Sequence, residues 1–137
     1  MGVIQKCWRE HGIYNVQKLW KLTDNEETIR IPIEDVKHNL NKKYWSLLEG
    51  VQPNELKGKK EKFVSPIQIL KNPKLSPYIK DKINNANTKY PILVYKDGKN
   101  LDVLDGLHRL SKLIKNKRKT VKIKYITSEM LRKAEIK

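Results

Sequence analysis

Cysteine is nearly absent from this sequence, since Cys7 is the only one among 137 residues. The chain therefore cannot form an internal disulfide, and this composition is typical of a reducing compartment. Long apolar runs are missing as well: no stretch is long enough to span a bilayer, and the first residues hold no apolar segment of signal-peptide length. We therefore expect a soluble cytoplasmic protein without a membrane partner.

Acidic residues are scarce relative to basic ones, 15 against 30, and the net charge at pH 7 is +15. A polyanion would be attracted by this charge, and its binding would weaken with salt. However, 25 of the basic residues are lysines, and Asn and Ile are also frequent, a pattern that AT-rich coding produces. Coding bias and affinity for nucleic acid both account for the charge, so the charge alone identifies no partner.

The first half of the chain carries short and broken patterns, and the length suits one domain over residues 1–137. Alternating residues at 16–22 and 28–33 predict a hairpin of two strands, with Pro32 placing the second strand at a sheet edge. Residues 34–49 predict a turn and a short helix, and residues 50–63 predict an exposed loop. Ser65-Pro66 and Ser76-Pro77 each predict a helix start.

Residues 90–134 carry the clearest pattern. "YPILVY" and "NLDVL" predict two strands joined by a turn at Asp97-Gly98, a register that pairs Val94 with Leu101. After Asp105-Gly106 the apolar period changes to about 3.6, which predicts a helix. A strand, "VKIKYI", and a last helix that begins at Thr127 or Ser128 follow.

The helix start at Gly106 is the candidate site. Unpaired backbone N–H groups at a helix start attract phosphate, and Gly106 permits a tight turn and the close approach of a ligand. His108 and Lys112 are expected opposite the apolar face, and Arg109 beside it. The helix dipole disfavours cations at this end, and a bound anion would remove that conflict. The alternative is structural: Asp105 caps the helix and the three cations form its solvated face.

The order of elements over residues 90–126, with Asp-Gly-Leu-His-Arg at 105–109, resembles the ParB/sulfiredoxin superfamily; "TIRIPIEDV" extends the resemblance to a core of about 28–126. The resemblance implies a compact α+β domain, a small mixed sheet with flanking helices, and a nucleotide phosphate site at the helix start. The implied phosphate contacts are the backbone of Gly106 and Leu107 and the side chains of His108, Arg109 and Lys112. Sulfiredoxins have cysteine where this chain has Leu107, so sulfinic acid reductase chemistry is not expected.

The chain also resembles another branch of the superfamily, the free-serine kinases of this fold. These use an acidic base after the opening strand, and Glu34 or Asp35 stands there. The leading expectation is thus a protein that binds ATP or CTP with Mg²⁺. If it is an enzyme, NTP hydrolysis or phosphotransfer would use His108, Asp105 and Glu34, and Asp105 would be the Mg²⁺ ligand. The alternatives are a non-catalytic DNA- or RNA-binding accessory protein of a mobile element or virus, and a ParB-like nuclease.

Overall fold

The computed structural model describes residues 6–9, 12–47 and 63–136, without the side chains of Trp8 and Ser46. The described strands are β1 (Lys6–Arg9), β2 (Gly12–Asn15), β3 (Ile29–Pro32), β4 (Trp45–Ser46), β5 (Phe63–Val64), β6 (Ile92–Asp97), β7 (Asn100–Asp105) and β8 (Thr120–Ile126). The described α-helices are α1 (Val16–Leu22), α2 (Pro66–Lys71), α3 (Pro77–Asn84), α4 (Leu107–Lys115) and α5 (Ser128–Ala134). Short 3₁₀ segments cover Ile33–Asp35, Lys37–Asn41 and Pro73–Leu75.

A four-stranded mixed sheet forms the centre, in the order β3-β8-β6-β7. Strands β6 and β8 are parallel, and the two outer strands are antiparallel to their neighbours. Two further hairpins, β1-β2 and β4-β5, lie outside this sheet. The predicted class, an α+β fold with a small mixed sheet and flanking helices, is confirmed.

Both faces of the sheet are buried at β6 and β7, whose side chains alternate between two cores, whereas Arg30 and Pro32 of the edge strand β3 are exposed. In β6, Ile92 and Val94 belong to a core that includes residues of α4 and the 3₁₀ segments, whereas Leu93 belongs to a core that includes residues of α1 and α5. The two central strands, β6 and β8, come from the second half of the chain. The N-terminal elements β1, β2 and α1 contribute to the core on one face of the sheet.

The predicted hairpin at 16–33 is wrong in its first strand. Residues 16–22 form helix α1, whose N-terminus is capped by the Asn15 side chain, which accepts a hydrogen bond from Lys18 N. Val16 and Leu19 are buried. Their spacing of three positions places them on the same face of a helix, whereas in a strand they would lie on opposite faces. The second strand is confirmed: β3 is an edge strand that ends at Pro32 and pairs with β8.

Residues 33–47 form two 3₁₀ segments and strand β4 instead of the predicted turn and short helix. Tyr44 and Trp45 pack against the core. The predicted loop at 50–63 lies outside the described residues, except for Phe63, which belongs to β5. Within the second 3₁₀ segment, Asn39 bonds the outer edge of β7: its Nδ2 donates to Leu101 O at 2.9 Å, and its Oδ1 accepts from Val103 N at 3.0 Å. This side chain therefore takes the place of a neighbouring strand.

The predicted helices and hairpin of the second half are confirmed. Ser65 and Ser76 cap α2 and α3, and Thr127 caps α5. The register of the β6-β7 hairpin differs from the predicted one by two residues, because Val94 pairs with Val103 and the two-residue loop is Gly98-Lys99. Gly98 takes a φ of +63°, and a loop that begins with glycine suits a two-residue hairpin.

The longest helix described is α4, with nine residues. None of the described helices combines the length and the apolar character that crossing a membrane requires.

Candidate functional site

Helix α4 starts without a side-chain cap. Gly106 occupies the cap position in the left-handed conformation, with φ +107°, and its carbonyl accepts the first intrahelical hydrogen bond, from Leu110 N at 2.9 Å. No side chain among the described residues caps this end, so Asp105 does not have the capping role that the structural alternative gave it. The first amides of α4 thus form the kind of helix start that attracts anions.

Glycine is required at position 106 by packing as well as by backbone conformation. A Cβ atom on Gly106 would overlap Cγ2 of Ile92 and lie 2.8 Å from its Cβ. The missing side chain therefore makes room for a core residue of β6, not for a ligand. The expectation that Gly106 opens the site to a ligand is replaced by this finding.

Asp105, the last residue of β7, is held by helix α1. The indole Nε1 of Trp20 donates a hydrogen bond to Asp105 Oδ2 at 2.7 Å. The sequence pattern missed this partner because it placed Trp20 in a strand. The bond fixes the carboxylate beside the start of α4, and it uses one of the two carboxylate oxygens.

Arg109 lies between two aromatic rings. Its guanidinium carbon is 5.6 Å from the ring centroid of Trp20 and 5.6 Å from that of Tyr90. Nη1 donates to Pro91 O at 3.1 Å, and this is the one hydrogen bond that the described residues give the side chain. Because a guanidinium has five N–H donors, the rings hold Arg109 in place while most of its donors stay available.

His108 is stacked on Trp45, with ring centroids 4.4 Å apart and an angle of 12° between the planes. Burial, together with the smaller effects of the charges of Lys82 and Arg109, lowers the pKa of His108 to about 4. The imidazole is therefore neutral at pH 7, and it is half-buried instead of lying on a solvated face. It can donate or accept a hydrogen bond, but it adds no positive charge to the site.

The remaining predicted residues are not all gathered at the helix start. Lys112 lies one turn along α4, where its Nζ donates to Ala86 O at 3.0 Å. Glu34 follows β3, at the opposite edge of the sheet from Asp105, and forms an exposed ion pair with Lys37 at 3.2 Å. Three strand spacings separate the two edges, roughly 14 Å. Asp105, His108 and Arg109 are brought together, and Glu34 stands apart from them.

A buried cluster around Arg9 was not predicted. Arg9 donates to Val103 O and Leu104 O, lies 3.7 Å from Asp102 and stacks over Tyr44, with its guanidinium carbon 4.1 Å from the ring centroid. The side chains of Arg9 and Asp102 are 6% and 7% exposed. Asp102 is thus part of a structural ion pair.

Cys7 lies in the core that includes residues of α1 and α5, and burial raises the pKa of its thiol to about 11. The charge of Arg9 acts in the opposite direction, and those of Asp105 and Asp102 reinforce the rise. The thiol is therefore protonated at pH 7, which makes it a poor nucleophile.

The described part of the chain contains no group of three or more His, Cys, Asp or Glu side chains placed to hold a metal ion. Mg²⁺ in nucleotide sites commonly takes one or two carboxylates together with phosphate oxygens and water. Asp105 fits this pattern as a single protein ligand, because its hydrogen bond from Trp20 engages only Oδ2.

The fold and this site together define a class: a small α+β domain in which an uncapped helix start adjoins a carboxylate, a neutral imidazole and a guanidinium held between rings. Comparisons with protein-family models, with curated proteins and with solved structures found no match to this chain. The geometry of the site is accordingly the basis on which a function is inferred.

Proposed function

We propose that this protein binds a nucleoside triphosphate, ATP or CTP, or a related phosphate ligand at the start of α4, as a ParB/sulfiredoxin-like domain. The observation that carries the proposal is the setting of Arg109, which lies beside an uncapped helix start and makes one hydrogen bond to the part of the chain that the structure describes. A guanidinium pairs with phosphate through two parallel N–H donors. Trp20 and Tyr90 hold it in one place, which lowers the entropic cost of binding.

The other residues take roles that follow from their contacts. The amides of Gly106, Leu107 and His108 would face the phosphates, and Lys112 would contribute charge from one turn along the helix. Asp105 would hold Mg²⁺, which neutralises phosphate charge when bound. The neutral His108 would donate a hydrogen bond, or move a proton if a reaction occurs.

The nature of Leu107 supports a binding role instead of sulfinic acid reduction. This side chain is buried against Leu110 and the sheet, where the related reductases carry their reactive cysteine. Hydrolysis or transfer of a phosphoryl group would therefore depend on His108 and Asp105. Glu34 follows β3, the edge strand on the opposite side of the sheet from β7.

A second candidate, binding of DNA or RNA without catalysis, is favoured by the turn that follows α4. Lys115, Lys117, Arg118 and Lys119 are all exposed there. Lys117 has a φ of +58°, Lys117 N donates to Ile114 O, and Arg118 N donates to Leu113 O, so a regular helix-ending motif fixes the turn. Four cations in five residues form a compact surface for a phosphate backbone.

One pair of variants separates the two candidates. Calorimetric titrations with ATP and with CTP, each with Mg²⁺, are compared with binding of labelled duplex DNA at two salt concentrations. Arg109→Ala is expected to weaken triphosphate binding at least tenfold, because it removes charge-assisted hydrogen bonds of about 1.5–3 kcal/mol. Arg118→Ala removes the same charge from an exposed position and is expected to leave triphosphate affinity unchanged.

The nucleic-acid candidate predicts the reverse order, with Arg118→Ala the more harmful variant and affinity falling steeply with salt. Release of inorganic phosphate and cleavage of the labelled DNA are followed in the same samples, so that hydrolase and nuclease activity are both tested. If neither triphosphate binds at millimolar concentration, the leading proposal fails.

A further inference from the structure

A cavity lies at the other end of α4, between this helix and helices α2 and α3. Its volume is about 310 Å³. Its apolar walls come from all three helices and from the segment that joins α2 to α3, namely Ile67, Ile69, Leu70, Pro73, Ile83 and Ile114. The cavity is separate from the phosphate site, because none of Asp105, Gly106, His108 or Arg109 lines it.

The fold builds this cavity from its core. Ile69 and Ile83 are buried residues of the small core that α2 and α3 share. The other three isoleucine and leucine residues are partly buried against the core that contains Ile92 and Val94, namely Ile67, Leu70 and Ile114. Volumes of about 300–1,000 Å³ are usual for small-molecule sites, and apolar walls with a few polar groups at the mouth are typical of them. The volume therefore fits a small ligand better than a segment of a partner protein.

The charges around the cavity have one sign. Among the described residues that line it, the charged ones are Lys71, Lys80 and Lys115. Lys115 Nζ donates to Asn84 Oδ1 at 2.6 Å, and none of the three lysines forms an ion pair with a described residue. Lys117, Arg118 and Lys119 continue the positive surface beyond Lys115. An apolar interior with a cationic rim is complementary to a molecule that has an apolar chain and an anionic head.

We propose that this cavity binds a small aliphatic monocarboxylate, with the hydrocarbon chain between the three helices and the carboxylate among Lys71, Lys80 and Lys115. A purely ionic ligand would leave the apolar walls exposed to water, and a neutral hydrocarbon would leave the lysines without a counter-ion. The site is independent of the triphosphate site proposed above.

The probe is octanoate, titrated by calorimetry into the full chain. Acetate carries the head alone, and octyltrimethylammonium carries the same tail with the opposite charge. Octanoate is expected to bind, whereas acetate and the cation are expected to give no saturable heat. Equal binding of octanoate and the cation would overturn the proposal, because the lysine rim would then have no role.

Two variants localise the binding. The double variant Lys71→Gln/Lys80→Gln is expected to weaken octanoate binding roughly fivefold, since each lysine contributes a partly screened charge. The matched control, Lys18→Gln/Lys89→Gln, removes the same charge from exposed positions outside the cavity and should change nothing. Equal effects of the two double variants would show attraction to overall charge only, and would contradict the site.

The apolar walls are tested with Ile67→Trp, which fills the cavity and should abolish octanoate binding. Circular dichroism and the melting temperature establish that this variant folds. If it does not, the methyl resonances of Ile83 and Ile114 in the natural chain are followed by NMR during the titration, and unshifted resonances would overturn the proposal. Arg109→Ala should leave octanoate binding intact, which keeps this test separate from that of the triphosphate site.

Discussion

The two arginines Arg9 and Arg109 show how one side chain serves two purposes in this molecule. The guanidinium of Arg9 is buried, donates to two carbonyls of β7 and lies beside the Asp102 carboxylate. The guanidinium of Arg109 is half-buried and makes one hydrogen bond to a described residue, Pro91. Both stack on aromatic rings, Arg9 on Tyr44 and Arg109 near Trp20 and Tyr90.

The difference lies in how many donors the protein itself uses. Arg9 donates its hydrogen bonds to the β7 edge of the sheet and pairs with Asp102, so its guanidinium stabilises the fold. Arg109 is positioned mainly by ring contacts, which fix a guanidinium without consuming its N–H groups. A positioned cation with unused donors is what recognition of phosphate requires.

The largest expected effect comes from removing the buried guanidinium. Arg9→Met should lower the free energy of unfolding by about 3–5 kcal/mol, because Asp102 would be left buried without its cation. Arg109→Met should lower it less, by about 1.5–3 kcal/mol, since it removes one hydrogen bond and two ring contacts but leaves no buried charge unpaired. Urea denaturation of both variants measures the difference, and equal losses would remove the distinction between the two arginines.

The next effect concerns Gly106, in the turn that leads into α4. This turn positions Arg109 and does not involve Arg9. Gly106→Ala should cost about 2–4 kcal/mol, because it combines left-handed strain with overlap against Ile92. Gly98→Ala is the matched control: its φ is also positive, at +63°, but a Cβ there meets no atom within 4 Å. The control should therefore cost only the strain, about 1–2 kcal/mol. A cost for Gly106→Ala no greater than that of the control would show that the Ile92 contact relaxes freely.

A third effect is absent at neutral pH and grows in acid: a pH dependence from His108, the neighbour of Arg109. The folded-state pKa of about 4 is below the ordinary histidine pKa of 6.5, so the unfolded chain binds more protons between these values. Stability should accordingly fall as the pH drops from about 6.5 to about 4, by up to about 1.4 kcal/mol per pH unit. Urea denaturation at several pH values should show a flatter curve for His108→Gln than for the natural chain.

His38→Gln is the control for that experiment, because His38 lies in a 3₁₀ segment away from Arg109. It should retain the acid-dependent loss of stability. Loss of the pH dependence in His38→Gln, with its retention in His108→Gln, would contradict the assignment to the stacked imidazole.

The sequence predicted the elements whose signals are local. The Ser-Pro caps, the hairpin and the periodic face of α4 depend on residues a few positions apart, and they are confirmed. Residues 16–22 were predicted wrongly because their mixture of apolar and polar residues was interpreted as alternation, whereas Val16 and Leu19, three positions apart, share one face only in a helix. The hairpin register was missed because both Asp97-Gly98 and Gly98-Lys99 can form a two-residue loop.

The interior of the site was not predictable from local pattern, because its partners are distant in the chain. Trp20 and Asp105 are 85 positions apart, and Arg9 and Val103 are 94 apart. The sequence indicated His108 and Arg109 as site residues. It could not show that His108 stacks on Trp45 and is neutral, or that Arg109 is held between Trp20 and Tyr90. Those properties arise only when the sheet brings the elements together.

The two side chains that bond the outer edge of β7 also limit how this protein can assemble. Asn39 and Arg9 already engage the outward N–H of Val103 and the carbonyls of Leu101, Val103 and Leu104. A strand from a second chain finds no free ladder at those positions, so sheet extension and edge-to-edge aggregation are blocked on this side. Growth of the sheet is left to the β3 edge, where Pro32 has no N–H to donate.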